Sequence, residues 1–151
     1  MSITQKVANI VESITINAPA SRVFAALTQS DELLQWWTGA CTLTSYHADL
    51  KAGGSWVMRG ADSDGDPFEI NGEFTLIQAP HLIEFTWRTL GQTEANVPFT
   101  LVRYALEERL GVTTLTVTHT GFVRELDRQN HAEGWKSVLQ LLNKYAQTQT
   151  A

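Results

Sequence analysis

A single histidine, His119, has the residue type and position best suited to chemistry in this sequence. It lies near the end of the run TTLTVTHT (113–120), where alternation places Leu115, Val117 and His119 on one face of a strand. An imidazole on the inward face could bond a ligand or transfer a proton near neutral pH. The alternative is a core histidine that bonds a neighbouring hydroxyl, such as that of Tyr104. The sequence leaves both interpretations open.

Other reactive residues fail on spacing or context. Residues 62–73 (DSDGDPFEINGE) place acidic groups at four positions of a calcium loop, but Pro67 replaces the glycine that the sixth position requires. Ser55 is followed by Val57 where a nucleophile elbow needs glycine. Cys41 lacks the set of nearby ligands that zinc requires. Because no glycine-rich phosphate loop follows a strand either, we assign no catalytic residue, no metal and no cofactor.

The composition limits the class of partner. The chain has 151 residues, of which 43% are hydrophobic and 18% are charged, as expected for one globular domain spanning 1–151. Its net charge of −5 comes from 11 basic and 16 acidic residues, and no basic cluster is present. This balance argues against a nucleic acid or an anionic membrane as partner.

Three features indicate a cytoplasmic protein. Asn9 and Glu12 interrupt the apolar stretch near the N-terminus, so no signal peptide is predicted. The sequence has no long uninterrupted apolar run, so no transmembrane helix is predicted either. The one cysteine, Cys41, excludes an internal disulfide bond and suits a reducing compartment.

Two periodicities define the elements that must position these side chains. A strand is predicted over 9–17, followed by a helix whose first residue is Pro19 and by a second short helix over 30–37. Ser30 is the predicted N-cap of the second helix, and Gly39 is expected to end it. Alternation with a period of two then predicts six strands, at 41–50, 55–61, 68–79, 82–89, 99–109 and 112–120.

A long C-terminal helix is predicted over 130–148, with Asn130 and Glu133 arranged as a capping box. Its apolar stripe contains His131, Gly134, Trp135, Val138, Leu141, Leu142 and Tyr145. Such a helix is roughly 25 Å long, enough to lie across a curved sheet. The predicted fold class is therefore α+β, with a curved antiparallel sheet of about six to seven strands wrapped on the C-terminal helix and two short helices after the first strand.

Five segments of the sequence follow one another in an order that is characteristic of a known family. They are ITINAPASRVFAALTQSDELLQWW, GGSWVMRG, GEFTLIQAPHLIEFTW, TTLTVTHTGF and HAEGWKSVLQLLNKY. Over roughly residues 9–147 the chain resembles the activator of heat-shock-protein-90 ATPase homologue family, of the START and birch-pollen-allergen-like (SRPBCC) superfamily. The resemblance implies the helix-grip fold. It leaves the activity open, because one fold serves many functions.

The adjacent tryptophans Trp36 and Trp37 indicate an unusually deep apolar space. Neighbouring side chains on a helix point about 100° apart, so two indoles cannot share one thin core layer. We expect one indole to fill the core and the other to form the rim of a cavity between the C-terminal helix and the sheet. Alternation turns four further sets inward. They are Trp56 and Met58; Phe68, Ile70, Gly72, Phe74 and Leu76; Ile83, Phe85 and Trp87; and Val102, Tyr104 and Leu106. The residues predicted to contact a ligand are Trp36, Trp37, Trp56, Met58, Phe74, Phe85, Trp87, Tyr104, His119, Trp135, Val138 and Leu142.

The predicted function is binding of a small hydrophobic or amphipathic molecule in that cavity. The first alternative, implied by the superfamily, is an enzyme of the polyketide cyclase type that uses His119, aided by Tyr104, as general acid and base. The second, implied by the family, is a co-chaperone-like ATPase activator. A homodimer through exposed strand edges or helix faces is compatible with the sequence, but no residue pattern specifies one.

Overall fold

The computed structural model describes residues 7–38, 41–90 and 99–148, and these form seven strands and three helices. The strands are β1 (Ile10–Ile16), β2 (Cys41–Ala48), β3 (Ser55–Asp62), β4 (Pro67–Gln78), β5 (Leu82–Leu90), β6 (Thr100–Arg109) and β7 (Val112–Thr120). The helices are α1 (Ala20–Thr28), α2 (Ser30–Trp36) and α3 (Glu125–Thr148). Each strand lies close to its predicted bounds. Gly39, the expected end of α2, lies outside the described residues.

The seven strands form one antiparallel sheet in the order β1-β7-β6-β5-β4-β3-β2. Strands β2 to β7 pair with their neighbours in sequence, which gives the predicted meander. Strand β1 pairs with β7, from Ile10 opposite His119 to Ile16 opposite Thr113. The alternating inward residues of all these strands meet the helices in one apolar core.

The short helices begin differently from the prediction in two details. Pro19 is the N-cap of α1 and not its first helical residue. The backbone N–H of Ala20, which has no acceptor within the helix, donates to Glu108 Oε1 at 2.7 Å. The prediction of Ser30 as N-cap of α2 is wrong. Gln29 takes that position because only one residue separates α1 from α2. A glutamate from β6 therefore supplies a helix-capping contact that no local pattern indicates.

The long helix begins at Glu125, well before the predicted start at Asn130. The predicted capping box of Asn130 and Glu133 is therefore wrong, because both residues lie inside the helix. The additional turn is polar and exposed, so it lacks the apolar period on which the prediction rested. Ion pairing within the turn stabilises it, since Arg128 Nη2 lies 2.6 Å from Glu125 Oε2.

The alternation prediction fails at one place in strand β4. A bulge between Phe74 and Leu76 shifts the pairing with β5, so that Phe74 lies opposite Phe85 and Ile77 lies opposite Ile83. The extra residue reverses the alternation, because each bulge adds one residue to one strand only. Ile77 packs against the core after the bulge, in place of the predicted Leu76.

The buried stripe of α3 differs in part from the predicted one. Its buried residues are Trp135, Leu139, Leu142 and Ala146. The other predicted members of the stripe are half-buried, apart from Gly134, which is exposed. The helix is thus amphipathic, and no helix among the described residues is both long and apolar enough to cross a membrane.

Candidate functional site

A small cavity lies where α1 and α2 meet the sheet, and we call it the aromatic cavity. Its volume is about 20 Å³, which is room for about one water molecule. Twelve residues from α1, α2 and its C-cap, and strands β2 to β6 line it: Leu27, Thr28, Leu33, Trp37, Tyr46, Trp56, Met58, Phe74, Ile83, Phe85, Trp87 and Tyr104. None of these twelve side chains is charged, so the cavity wall is apolar with a few polar atoms.

The predicted site and the aromatic cavity overlap in part. The predicted residues that line the cavity are Trp37, Trp56, Met58, Phe74, Phe85, Trp87 and Tyr104. Those that do not are Trp36, His119, Trp135, Val138 and Leu142. The cavity was expected under the C-terminal helix, but in the described part of the chain α3 contributes no lining residue. The Trp135 indole fills that space, with ring centroids 5.5 Å from Trp87 and 5.9 Å from Tyr104.

Five lining residues were absent from the predicted site. Tyr46 and Ile83 lie on inward faces of their strands, where Tyr46 pairs with Met58 and Ile83 precedes Phe85 by two residues. Alternation predicts Ile83 on the inward face with Phe85, and the same period applied to strand 41–50 would have found Tyr46. The other three come from the short helices: Leu27, Thr28 and Leu33. Their placement over the sheet depends on tertiary packing, which no local period encodes.

Trp36 and Trp37 divide between the core and the cavity wall. Trp36 is 3% exposed, and its indole N–H donates to the carbonyl oxygen of Ala26 at 2.8 Å. Trp37 lines the cavity, and the backbone leaves the helix there, with ψ of 83°. Its indole N–H forms no hydrogen bond with any residue that the structure describes. Contact of Trp37 with a ligand stays a prediction.

Two phenols are the principal polar groups of the cavity wall. Tyr104, from the middle of β6, is 4% exposed, and Tyr46, from the edge strand β2, is 7% exposed. Burial raises the pKa of both phenols above the ordinary value, and Tyr46 raises the pKa of Tyr104 further. Both groups are therefore neutral donors at physiological pH. The remaining hydroxyl of the wall, on Thr28, already donates to the carbonyl oxygen of Phe24 at 2.8 Å.

His119 is a fully buried histidine with both ring nitrogens in use. The indole N–H of Trp135 donates to Nδ1 at 3.0 Å, which places the proton of the neutral ring on Nε2. That nitrogen lies 2.6 Å from Thr100 Oγ1, and the Thr100 hydroxyl donates to the carbonyl oxygen of Trp87 at 3.1 Å. Burial, with a smaller effect of His131, lowers the pKa of His119 to about 3. The ring is therefore neutral at physiological pH.

This geometry favours a core histidine over an acid–base role. Val102 pairs with His119, so Thr100 and Tyr104 are its two diagonal neighbours on the same face of the sheet. The ring bonds Thr100 and not Tyr104, the partner that the sequence suggested. Because His119 is sealed and does not line the aromatic cavity, it cannot reach a molecule held there.

The acidic hairpin between β3 and β4 is a turn, as predicted. The carboxylate oxygens of Asp62, Asp64 and Asp66 lie within 4.8 Å of one another, and this is the one such group found in the described ranges. Asp62 Oδ1 accepts the backbone N–H groups of Asp64 and Asp66, both at 2.9 Å. Such bonds are ordinary turn chemistry for aspartate, so the cluster by itself does not indicate a metal.

Solved structures share this architecture. Ms6760 from Mycobacterium smegmatis matches with a TM-score of 0.78 and 18% identity, over 95% of this chain and 90% of that chain. CV1439 from Chromobacterium violaceum matches with a TM-score of 0.79 and 19% identity, over 92% of this chain and 96% of that chain. CalU16 from Micromonospora echinospora matches with a TM-score of 0.70 and 20% identity, over 91% of this chain and 75% of that chain. Likeness at these identities concerns the fold alone, and it confirms the predicted α+β helix-grip architecture.

Sequence comparison identifies the family. A search of the curated proteins found no match. The family model described as "Activator of Hsp90 ATPase homolog 1-like protein" matches residues 17–147, which include every helix and every strand after β1 except the last residue of α3. This match confirms the resemblance stated from the sequence motifs. The chain therefore belongs to the Activator of Hsp90 ATPase homolog 1-like family.

Proposed function

We propose that this protein binds a small, predominantly apolar molecule in the aromatic cavity. The observation that carries the proposal is the composition of the wall, in which seven of the twelve residues are aromatic and none is charged. The rings contact one another closely, with centroid separations of 5.4 Å for Trp56 and Phe85 and 5.2 Å for Phe85 and Tyr104. An apolar wall with a few polar groups is typical of small-molecule sites.

The volume of the cavity sets the main condition for binding. A space of about 20 Å³ is far below the roughly 300–1,000 Å³ of ligand pockets. The protein must therefore open before a ligand enters, and the ligand must favour the open state by more than the free energy of opening. Interlocked rings on a hydrogen-bonded sheet resist expansion. We expect the movement at the helical side of the wall.

Trp37 is the wall residue best suited to move. It follows the last residue of a short helix, α2, and its indole forms no hydrogen bond among the described residues. The neighbouring Trp36 is held by its bond to Ala26, so it can anchor the helix while Trp37 turns outward. Rotation of the Trp37 side chain would enlarge the cavity without breaking a strand pairing. Trp37 is thus the proposed gate.

The two alternative functions gain less support from the geometry. An acid–base enzyme of the predicted type needs His119 to face its substrate, but both of its ring nitrogens are bonded inside the core. The ATPase-activator role follows from the family's name. No surface feature of the described ranges favours that role over ligand binding, so it remains an expectation from the resemblance.

Titration with N-phenyl-1-naphthylamine, a neutral fluorescent molecule, tests the proposal. We expect saturable binding of one molecule per chain, with energy transfer from the tryptophans. The variant Phe74→Leu, which alters the wall, should change the dissociation constant several-fold. The matched variant Phe122→Leu, which alters an aromatic residue outside the wall, should leave it unchanged. Absence of saturable binding, or equal effects of the two variants, would contradict the proposed site.

A further inference from the structure

The unpaired polar groups of the core are concentrated on the aromatic cavity. Buried indole N–H and phenol O–H groups normally find partners. Outside the wall, the indoles of Trp36 and Trp135 are bonded, and the hydroxyl of Thr113 donates to the carbonyl oxygen of Ala18 at 2.7 Å. On the wall, three groups form no hydrogen bond with any described residue: the indole N–H of Trp37 and the hydroxyls of Tyr46 and Tyr104.

Tyr104 lines the cavity and is only 4% exposed. Its hydroxyl bonds no described residue. Arg88 Nε is the one fully enclosed side-chain polar atom without a partner in the described part of the chain, so the phenol oxygen of Tyr104 keeps some accessible surface. A molecule bound in the cavity would therefore lie against a phenol whose O–H donor is unused.

The wall also restricts the charge of what can bind. An anion would find no cationic side chain among the twelve lining residues, and a cation would find no carboxylate. Moving an unpaired charge out of water into such a site is strongly unfavourable. A neutral molecule with an acceptor oxygen would instead satisfy the phenol O–H. The edge-on packing of Phe85 against Tyr104, with ring planes at 73°, suits a flat ring as neighbour.

We infer that the ligand is an uncharged aromatic compound whose carbonyl or hydroxyl oxygen accepts a hydrogen bond from Tyr104. This inference rests on the proposed binding function and specifies the class of ligand. Tyr46, on the edge strand, carries a further unpaired phenol hydroxyl on the same wall. It can bond a second oxygen of the ligand.

Three probes with the same ring system test the inference at pH 7.5. They are naphthalene, 2-acetylnaphthalene and 2-naphthoate, which differ only in the absence of an oxygen, a neutral oxygen and an anionic group. We expect the ketone to bind about tenfold more tightly than naphthalene, the value of one good hydrogen bond. The carboxylate should bind at least about tenfold more weakly than the ketone.

Two variants separate the hydrogen bond from packing. Tyr104→Phe should remove the advantage of the ketone, measured as the ratio of the naphthalene and ketone dissociation constants in the same variant. Tyr145→Phe, which removes a phenol hydroxyl bonded to Glu32 outside the wall, should preserve the advantage. If Tyr104→Phe does not fold, the carbonyl stretch of bound 13C-labelled ketone reports the hydrogen bond, because hydrogen bonding lowers its frequency. A lowered frequency that persists in Tyr46→Phe assigns the bond to Tyr104, and a frequency that returns to the unbonded value in Tyr46→Phe contradicts the inference.

The outcomes separate this inference from the proposed function. If naphthalene binds but the ketone binds no more tightly, or if the carboxylate binds best, the ligand class is wrong and the binding function stands. If Tyr104→Phe weakens all probes equally, the phenol acts through packing and the inference fails. If no probe binds, both the ligand class and the proposed function are contradicted.

Discussion

The indole N–H of Trp135 in α3 donates to Nδ1 of His119 in β7, across 3.0 Å of buried core. This bond joins the long helix to the sheet, and His119 extends it to Thr100 in β6. Three elements are thus connected through one imidazole that no solvent reaches. Removing a buried partner leaves the other groups unpaired, which costs more than the bond itself contributes.

The variant His119→Phe should lower the free energy of unfolding by about 2–4 kcal/mol. Phenylalanine keeps an aromatic ring in the space but leaves the Trp135 indole N–H without an acceptor and the Thr100 hydroxyl without a donor. Urea denaturation measures the loss. The same substitution at the exposed His47 is the control, and it should change the free energy by less than about 0.5 kcal/mol. Equal effects at both positions would show that the buried network adds no stability.

Stability should fall with decreasing pH because of His119. Burial lowers its pKa from 6.5 in the unfolded chain to about 3 in the folded protein. Between these values the unfolded state binds more protons, so the stabilising contribution is complete above pH 6.5 and is lost toward pH 3. Between about pH 7.5 and pH 5 the expected loss is on the order of 2 kcal/mol.

Comparison with His119→Phe isolates this contribution. Other groups titrate in both proteins, so the difference between the two unfolding free energies should shrink as the pH falls. Urea denaturation at several pH values measures it. A difference that does not depend on pH would mean that His119 titrates alike in the folded and unfolded states.

The sheet could be read from the sequence because its signals are local. Alternation of apolar residues predicted every described strand close to its bounds, and Gly53 and Gly65, which mark two of the turns, have positive φ. The start of α3 could not be read in this way. Its first turn is held by ion pairs such as that of Arg128 with Glu125 and buries no apolar stripe.

The site was only partly readable for a different reason. Alternation identifies which side chains of a strand point inward, and it placed Trp56, Phe85 and Tyr104 correctly on the inner face. It does not tell which inward residues border empty space and which are in contact with a helix. In this protein the indole of Trp135 fills the region under α3, so the inward residues there contact the helix and do not border a cavity. That outcome depends on tertiary packing over long sequence separations.

The contact of Glu108 with α1 provides a third prediction. Glu108 Oε1 accepts the backbone N–H of Ala20 at 2.7 Å, in place of the side-chain cap that Pro19 cannot supply. The variant Glu108→Ala should lower the free energy of unfolding by about 1 kcal/mol. Glu108→Gln keeps an acceptor oxygen and should lose less than half of that, since only the charge near the helix N-terminus is removed. Chemical denaturation of both variants measures the two values.

A larger loss for Glu108→Gln than for Glu108→Ala would contradict this interpretation. The neighbouring Glu107 offers the matched control, because it lies exposed on the same strand and no hydrogen bond is described for it. Glu107→Ala should change the free energy of unfolding by less than about 0.5 kcal/mol.

The two adjacent tryptophans should lose stability to different extents when they are truncated. Trp36→Ala removes a core indole together with its bond to Ala26, and should lower the free energy of unfolding by about 3–5 kcal/mol. Trp37→Ala should lower it by less, because the indole forms no hydrogen bond with the described residues and borders the cavity.

Measurements of ligand binding should distinguish the roles of Trp36 and Trp37 more clearly than measurements of stability. If Trp37 is the gate, Trp37→Ala abolishes the need to displace its indole, so N-phenyl-1-naphthylamine should bind at least about fivefold more tightly and associate faster. Phe122→Leu, which alters an aromatic residue outside the wall, should leave both constants unchanged. Stopped-flow fluorescence gives the rate and titration gives the affinity. Weaker binding by Trp37→Ala would mean that the indole holds the ligand and does not obstruct it, and the movement that admits a ligand would then have to come from another part of the wall.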